Sequence, residues 1–250
     1  MAHLMPDGAG SAREQDLEAR LRAVRSRISA AATAADRPEP HLIVVTKYFP
    51  ASDVRILAGL GVTDVGENRD QEAALKAGEL EALPLSWHFI GQLQTNKAKS
   101  VVRYAHSVHS VDRSSLVAAL GKAVGAENGR RAEAGMELRG ELDCYLQFTL
   151  ETAPGSRGGA QPVDAESLAE AVLATEGLRL AGVMAVAPLG ASPAEAFERL
   201  LEISASVRAV EPSATAVSAG MSGDLEEAIA AGATHLRIGS DVLGPRPAVG

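Results

Sequence analysis

The residue with the clearest chemical potential in this sequence is Lys47. It follows the apolar run His41–Thr46, HLIVVT, in the segment VVTKYFP. A lysine at the end of a buried strand points towards the interior or the mouth of the sheet, where burial disfavours its charged form. A neutral amine can attack an aldehyde and form a Schiff base. The alternative is a lysine that simply extends to solvent, and Lys47 taken alone favours that structural interpretation.

Two glycine- and serine-rich segments add a second kind of chemistry. SAGMSGD, residues 218–224, and RIGSD, residues 237–241, each follow a short apolar run. Ser222 can cap a helix, and Gly239 and Ser240 present backbone and a hydroxyl. Such loops at helix N-termini bind phosphate, although ordinary turns also favour these residues. A lysine opposite a phosphate site is the arrangement that a Schiff base of pyridoxal 5′-phosphate (PLP) requires, and sugar-phosphate enzymes could share it.

Arg237 lies two residues before Gly239 and shares its face of the strand. A buried arginine keeps its charge and needs partners, so the structural alternative for Arg237 is an ion pair with Asp or Glu. The histidines form no compact metal motif, and we predict no metal site. In HSVH, the strand period places His106 and His109 on opposite faces.

Eight apolar, β-branched runs alternate with helical patterns after an N-terminal amphipathic helix, Ser11–Ala35. This alternation predicts a parallel sheet, and eight repeats predict a single-domain (β/α)8 TIM barrel. The barrel is assigned to residues 11–250 and a mobile tail to residues 1–10, and the N-terminal helix supplies the eighth outer helix. The predicted strands are His41–Thr46, Gly61–Val65, Ser86–Ile90, Ser107–Val111, Leu142–Leu150, Leu178–Val186, Ala214–Ser218 and Thr234–Ile238. The predicted helices between them are Ser52–Gly59 capped by Ser52, Asn68–Ala77, Gln94–Arg103, Ser114–Val124, Asp164–Thr175, Pro193–Ala209 and Asp224–Ala231.

In such barrels the functional site lies at the C-terminal ends of the strands. The residues that follow the predicted strands are therefore the candidates: Lys47, Gly66–Arg69, Gly91, Asp112 and Arg113, Ala187 and Pro188, Ser218–Ser222, and Gly239 and Ser240. Two stretches, Gly125–Gly140 and Glu151–Gln161, are predicted to be surface insertions.

Composition excludes several classes of protein. The 250 residues carry a formal net charge of −8, which disfavours a nucleic-acid or anionic-membrane surface. The single cysteine, Cys144, cannot form an internal disulfide and is interpreted as a buried apolar residue. No apolar run reaches the ~20 residues of a membrane helix, and no secretory signal is evident. We therefore expect a cytoplasmic protein.

Several motifs together resemble one family. VVTKYFP, GENRDQE, WHFIGQLQTNKAK, SVHSVDR, GVMAVAP and SAGMSGDLEEAIAAGATHLRIGSDVLGPR occur in the order seen in the PLP homeostasis protein family. The resemblance covers Glu14 to Arg246. That family resembles the barrel domain of fold-type III PLP enzymes such as alanine racemase.

The resemblance implies a role for individual residues. Lys47 would be the Schiff-base lysine, and Arg237 would contact the pyridine nitrogen of PLP. Met221 and Ser222, with Gly239 and Ser240, would hold the phosphate, and Ser218 opens the same loop. Asn68 would lie beside the ring and His88 lower in the pocket. The sequence departs from the family pattern at Arg69 and Asp70 of GENRDQE and at Arg157–Gly159, which leaves rim contacts and partners open.

Two functions fit this resemblance: a PLP carrier in vitamin B6 and amino-acid homeostasis, without catalytic residues, or an amino-acid racemase. Racemisation needs an acid and a base on opposite faces of the substrate. Lys47 serves one face, and in alanine racemase a tyrosine of a second domain serves the other. We expect no such domain here, Tyr48 to point away from Lys47, and Tyr104 and Tyr145 to lie away from the mouth. We therefore predict a non-catalytic, monomeric PLP-binding protein, with PLP-dependent apoenzymes as possible acceptors.

Overall fold

The computed structural model describes residues 11–151 and 158–246. Eight parallel strands pair in chain order, and β8 pairs with β1 to close a barrel. The predicted (β/α)8 barrel is therefore confirmed. The predicted tail, residues 1–10, lies outside the described residues. The strands are β1 His41–Val45, β2 Asp64–Glu67, β3 Ser86–Phe89, β4 Ala105–Val111, β5 Leu142–Gln147, β6 Leu178–Met184, β7 Ala216–Ser218 and β8 His235–Ile238.

Helices cover the outside of this barrel. They are α1 Ala12–Ala34, α2 Ala51–Gly59, α3 Asp70–Glu79, α4 Ala98–Val101, α5 Ser114–Glu133, α6 Ala165–Leu173, α7 Pro193–Val210, α8 Leu225–Ala231 and α9 Ser240–Leu243. Short 3₁₀ turns, Thr95–Lys97 and Pro162–Asp164, precede α4 and α6. In the described part of the chain, none of these helices combines the length and apolar character needed to cross a membrane.

The first helix closes the outer layer as predicted. The Ser11 hydroxyl caps α1 by accepting a hydrogen bond from the Glu14 amide at 3.2 Å. Its apolar stripe is buried, and it packs against α2, α8 and α9. Helix α1 therefore lies between the last and the first βα units and belongs to the outer layer of helices that covers the barrel.

The buried apolar residues form two separate clusters. A large apolar cluster lies between strands and helices, and a small one consists of Tyr145, Ala181 and Met184 with their neighbours. Polar side chains also meet inside the barrel. His109 on β4 bonds Ser218 on β7, two strands that are not neighbours in the sheet. Such a bond must cross the barrel interior.

The structure corrects three local predictions. Pro50, which has no side chain to cap with, stands at the N-cap of α2, so Ser52 lies inside the first turn. Asp224 takes the N-cap position of α8 in place of Ser222. The predicted insertion Gly125–Gly140 is helical as far as Glu133, because α5 continues to bury one face. Part of the second predicted insertion lies outside the described residues, and Ala160 within it pairs with Phe148.

Candidate cofactor site

Several of the predicted site residues line one cavity at the C-terminal ends of the strands. Its volume is about 350 Å³, within the range typical of small-molecule sites. Lys47, Asn68, Met221 and Arg237 line it. These four residues come from loops or strands far apart in the sequence, so the barrel alone brings them together. This is the end of the barrel at which (β/α)8 proteins place their sites.

Lys47 lines this cavity, and its amine has no hydrogen-bond or ion-pair partner among the described residues. The residue is half-buried, and its Nζ forms no ion pair with any described residue. Its nearest ring is that of Tyr48, 5.9 Å from Nζ. The prediction that Tyr48 points away is therefore wrong, because its backbone is left-handed, with φ of 71°, which turns the side chain back over the rim. The ring lies under the Arg246 guanidinium at 3.8 Å.

A buried ion cluster, which we define as Glu67, Glu72 and Lys76, lies directly behind Lys47. The Lys76 ammonium donates to Glu67 and Glu72 at 2.7 Å each and to the Thr46 carbonyl at 2.9 Å. All three donors of Lys76 are thus occupied, so this lysine is held as a structural cation. The fold thus brings two lysines to the end of β1, and of these two Lys47 is the one that is free to react.

The buried ion cluster also holds the backbone on both sides of Lys47. Thr46 precedes it and donates its hydroxyl to Glu67 Oε1 at 2.6 Å. Tyr48 follows it and donates its amide to Glu72 Oε1 at 2.7 Å. Burial raises the pKa of Glu67, and the ammonium of Lys76 opposes that rise. The cluster therefore fixes the peptide units from which the reactive side chain projects.

Arg237 is buried at the floor of the cavity. Its guanidinium donates to the Ser218 hydroxyl at 2.6 Å and to the Ala185 carbonyl at 2.8 Å. No ion pair with a carboxylate joins it within residues 11–151 and 158–246, so the structural alternative of an Asp or Glu partner is not what the structure shows. Burial lowers the pKa of Arg237 to about 10, which leaves the side chain a cation at neutral pH.

The two predicted phosphate loops meet at the edge of the cavity. The hydroxyls of Ser222 and Ser240 are 3.2 Å apart, which joins the loop after β7 to the loop after β8. A Cβ on Gly239 would lie 3.2 Å from the Val45 carbonyl oxygen, so glycine lets this loop approach β1. Ser222, Gly239 and Ser240 are beside the cavity lining and do not form part of it.

One feature of the loop after β7 limits how it can bind an anion. The amide of Met221 donates to Asp224 Oδ1 at 2.6 Å. That amide is therefore occupied, and the hydroxyls of Ser222 and Ser240 are the side-chain donors at this edge.

Two predicted site residues lie below the cavity. His88 is buried and bonds Asp64 at 2.8 Å and the Ser107 hydroxyl at 2.6 Å. Ser218 is fully buried and stands between Arg237 and His109. Neither side chain lines the cavity, and Ser218 is linked to it through Arg237.

Sequence reasoning missed one wall of the cavity. Gln147, Phe148, Thr149, Leu150 and Glu151 line it after β5, together with Gln92 after β3 and Met184 and Val186 at the end of β6. The strand was predicted to continue to Leu150, whereas β5 ends at Gln147. A correct strand end would have marked the next residues as candidates, because the functional end of each strand is its C-terminus.

The comparisons with known proteins agree with this geometry. Residues 19–247 match the family model described as alanine racemase, N-terminal domain. The chain is 44% identical over 250 aligned residues to the pyridoxal phosphate homeostasis protein of Mycobacterium tuberculosis strain H37Rv, covering 94% of each chain.

Two solved structures extend the comparison. PipY of Synechococcus elongatus PCC7942, solved with PLP bound, is 31% identical with a TM-score of 0.74, covering 91% of this chain and 100% of PipY. Alanine racemase of Corynebacterium glutamicum has the same barrel fold, with a TM-score of 0.65 at 13% identity, over 94% of this chain and 62% of the racemase. The match at high identity over almost the whole length, on the same barrel, shows that the chain belongs to the pyridoxal phosphate homeostasis protein family.

Proposed function

We propose that this protein binds PLP as a Schiff base on Lys47. The observation that carries the proposal is the single cavity that joins the free amine of Lys47 to the buried cation of Arg237. The homologous PipY was solved with PLP bound. Bound PLP supplies an aldehyde for the lysine and an aromatic ring that can accept electrons.

The residues present fit such a cofactor. Asn68 Oδ1 is buried without a hydrogen-bond partner, and a buried polar atom in that state costs free energy until a ligand or water satisfies it. Arg237 offers donors at the cavity floor. The paired hydroxyls of Ser222 and Ser240 lie at the edge, where they can donate to a phosphate.

We further propose that the bound cofactor is stored and delivered without catalytic turnover. A racemase of the alanine racemase type needs a tyrosine facing Lys47 across the substrate, and no tyrosine lines the cavity in the part of the chain that the structure describes. Tyr48, 5.9 Å from the Lys47 amine, lies outside the lining, under the Arg246 guanidinium. Tyr145 stacks on His109 below the cavity, with ring centroids 3.9 Å apart, and Tyr104 bonds Asp70 outside it. Arg237 can only donate, so a ring nitrogen beside it stays unprotonated and is a weak electron sink.

The cellular role follows from the relatives. They are named for PLP homeostasis, so we propose that this protein buffers PLP and passes it to PLP-dependent apoenzymes as a cytoplasmic monomer. Reactivation of a PLP-free enzyme by the loaded protein, faster than by the same concentration of released PLP, would support delivery. Equal rates would reduce the role to storage.

A titration with PLP tests the binding proposal. We expect a visible absorbance band of a lysine imine to grow to one equivalent in the wild type and in Lys122→Ala, an exposed lysine on α5. Lys47→Ala should lose the band while keeping its circular dichroism. A band that persists in Lys47→Ala would place the reactive amine elsewhere.

Incubation of the loaded protein with L-alanine or D-alanine in deuterium oxide tests the absence of turnover. We expect neither the opposite enantiomer nor deuterium at Cα at rates typical of enzymes. Racemisation at such rates would establish the alternative, a fold-type III amino-acid racemase.

A further inference from the structure

A row of hydrogen bonds runs through the barrel from its N-terminal end to the floor of the cavity. We call it the interior relay and define it, in order, as Asp64, His88, Ser107, His109 and Ser218, ending on Arg237. The five bonds measure 2.8, 2.6, 2.9, 2.9 and 2.6 Å. Asp64 is the first residue of β2, with its side chain 28% exposed, whereas the members after it are buried.

The hydrogen bond at the cavity end of the interior relay determines which atom donates in each of the other bonds. Arg237 can only donate, so the Ser218 oxygen accepts from it. Among the described contacts of the Ser218 hydroxyl, His109 Nδ1, 2.9 Å away, is the one atom that can accept its proton, so the hydroxyl donates there. A ring nitrogen that accepts carries no proton, so His109 is neutral and carries its proton on Nε2.

The same direction continues to the other end. His109 Nε2 donates to the Ser107 oxygen and also faces His88 Nδ1 at 3.3 Å, and the Ser107 hydroxyl donates to His88 Nδ1. His88 therefore carries its proton on Nε2, which faces Asp64 Oδ1. Asp64 accepts: burial alone would raise its pKa, but the bonds from His88 and Thr63 leave the pKa lowered. One proton arrangement thus satisfies both ends.

A second proton on His109 would break this order. Its Nδ1 would become a donor, and Ser218 would face donors on both sides, with no acceptor for its own hydroxyl. Burial and the neighbouring charges hold the pKa of His109 well below its ordinary value, which keeps the ring neutral. In the part of the chain that the structure describes, no carboxylate forms an ion pair with Arg237. Asp224 acts on it only through its charge, and the carboxylate linked to it by hydrogen bonds is Asp64, at the far end of the interior relay.

We propose that the interior relay positions Arg237, with His109 as the positioning residue that acts through Ser218, and that Asp64 sets how strongly Arg237 donates into the cavity. The proposal rests on PLP binding at Lys47. The relay touches the cavity only through Arg237, so its effect is on the environment of the bound ring and not on the reactive amine.

Nitrogen NMR of the protein with ring-labelled histidine tests the relay without any cofactor. We expect His109 to be neutral, with its proton on Nε2, and His88 to carry a proton on the Nε2 that faces Asp64. Asp64→Asn should perturb the His109 signals, although Asp64 does not touch His109, whereas Asp36→Asn, which changes an exposed carboxylate outside the relay, should not. A His109 with its proton on Nδ1, or signals unchanged in Asp64→Asn, would overturn the relay.

The loaded protein provides the second test. We expect His109→Phe and Asp64→Asn to shift the visible band of bound PLP. His109→Phe should also weaken PLP binding about tenfold, by analogy with the lower end of the effects seen when a partner behind a metal ligand is removed. His109→Asn, whose amide oxygen can still accept from Ser218, should recover most of that affinity. Wild-type spectrum and affinity in both relay variants would overturn the proposal. Failure of the wild type itself to form the band would instead refute PLP binding.

Discussion

Lys76→Met should be among the most destabilising single changes in this protein. The side chain of Lys76 is 8% exposed and that of Glu67 is 1% exposed. Removing one member of such a pair leaves an unpaired buried charge, which costs about 3–5 kcal/mol. Domains of this kind are stable by about 5–15 kcal/mol, so the variant should fold but unfold at a much lower urea concentration.

The pH dependence of the loss identifies its cause. Without Lys76, burial raises the pKa of Glu67 further above its unfolded value. The native state then binds more protons than the unfolded state between the two values, so stability falls as pH rises through that window. Urea unfolding followed by circular dichroism should therefore show a smaller deficit near pH 5 than near pH 8.

Two control variants separate the buried charge from general damage. Lys76→Met combined with Glu67→Gln removes both charges and should recover most of the loss, because replacing a whole buried pair is often close to neutral. Lys99→Met, an exposed lysine on α4, should change stability by less than about 0.5 kcal/mol. A loss under about 1 kcal/mol in Lys76→Met, or a double variant no more stable than the single one, would refute the reasoning.

Three further predictions concern the cavity and the barrel floor. Gly91→Ala should destabilise the protein and weaken PLP binding, because its Cβ would lie 2.3 Å from the Asn68 carbonyl oxygen; equal urea midpoints and affinities for variant and wild type would contradict this. Ser222→Ala with Ser240→Ala should weaken binding of PLP far more than that of pyridoxal, which lacks the phosphate; equal losses for the two ligands would show that these hydroxyls do not hold it. Burial, with His41 nearby, lowers the pKa of His235 to about 4, so its contribution to stability falls as pH drops below about 6.5 and amounts to about 3 kcal/mol lost by pH 4; unfolding of His235→Asn should depend less steeply on acid, and an unchanged slope would argue against it.

The barrel was predictable because its signal repeats. Each apolar run followed by a helical pattern marks one βα unit, and an error at one boundary leaves the number of units unchanged.

Helix α5 shows where local helix propensity gave the wrong prediction. Gly125 and Gly129 disfavour a helix, but a Cβ at either position meets nothing within 4 Å, so both lie in open space while the opposite face packs. Tertiary packing overrides the local preference there.

The site was predictable only in part, because its members depend on strand ends and on contacts across the barrel. Lys47 could be named from its position at the end of a strand, and Arg237 from the strand face that it shares with Gly239; the structure places both in one cavity. The tyrosine ring beside Lys47 depends on a left-handed backbone at Tyr48. The bond from His109 to Ser218 depends on the closed barrel, since these residues are far apart in sequence. Neither feature has a sequence pattern.

Reduction with borohydride in the presence of PLP, followed by peptide mass spectrometry, tests the central claim most directly. Reduction fixes an imine permanently on the lysine that formed it. The free amine of Lys47, beside a fully occupied Lys76, predicts one pyridoxyl phosphate group on the peptide that contains Lys47. Labelling of Lys76, scattered labelling of surface lysines, or no labelling at all would contradict the account.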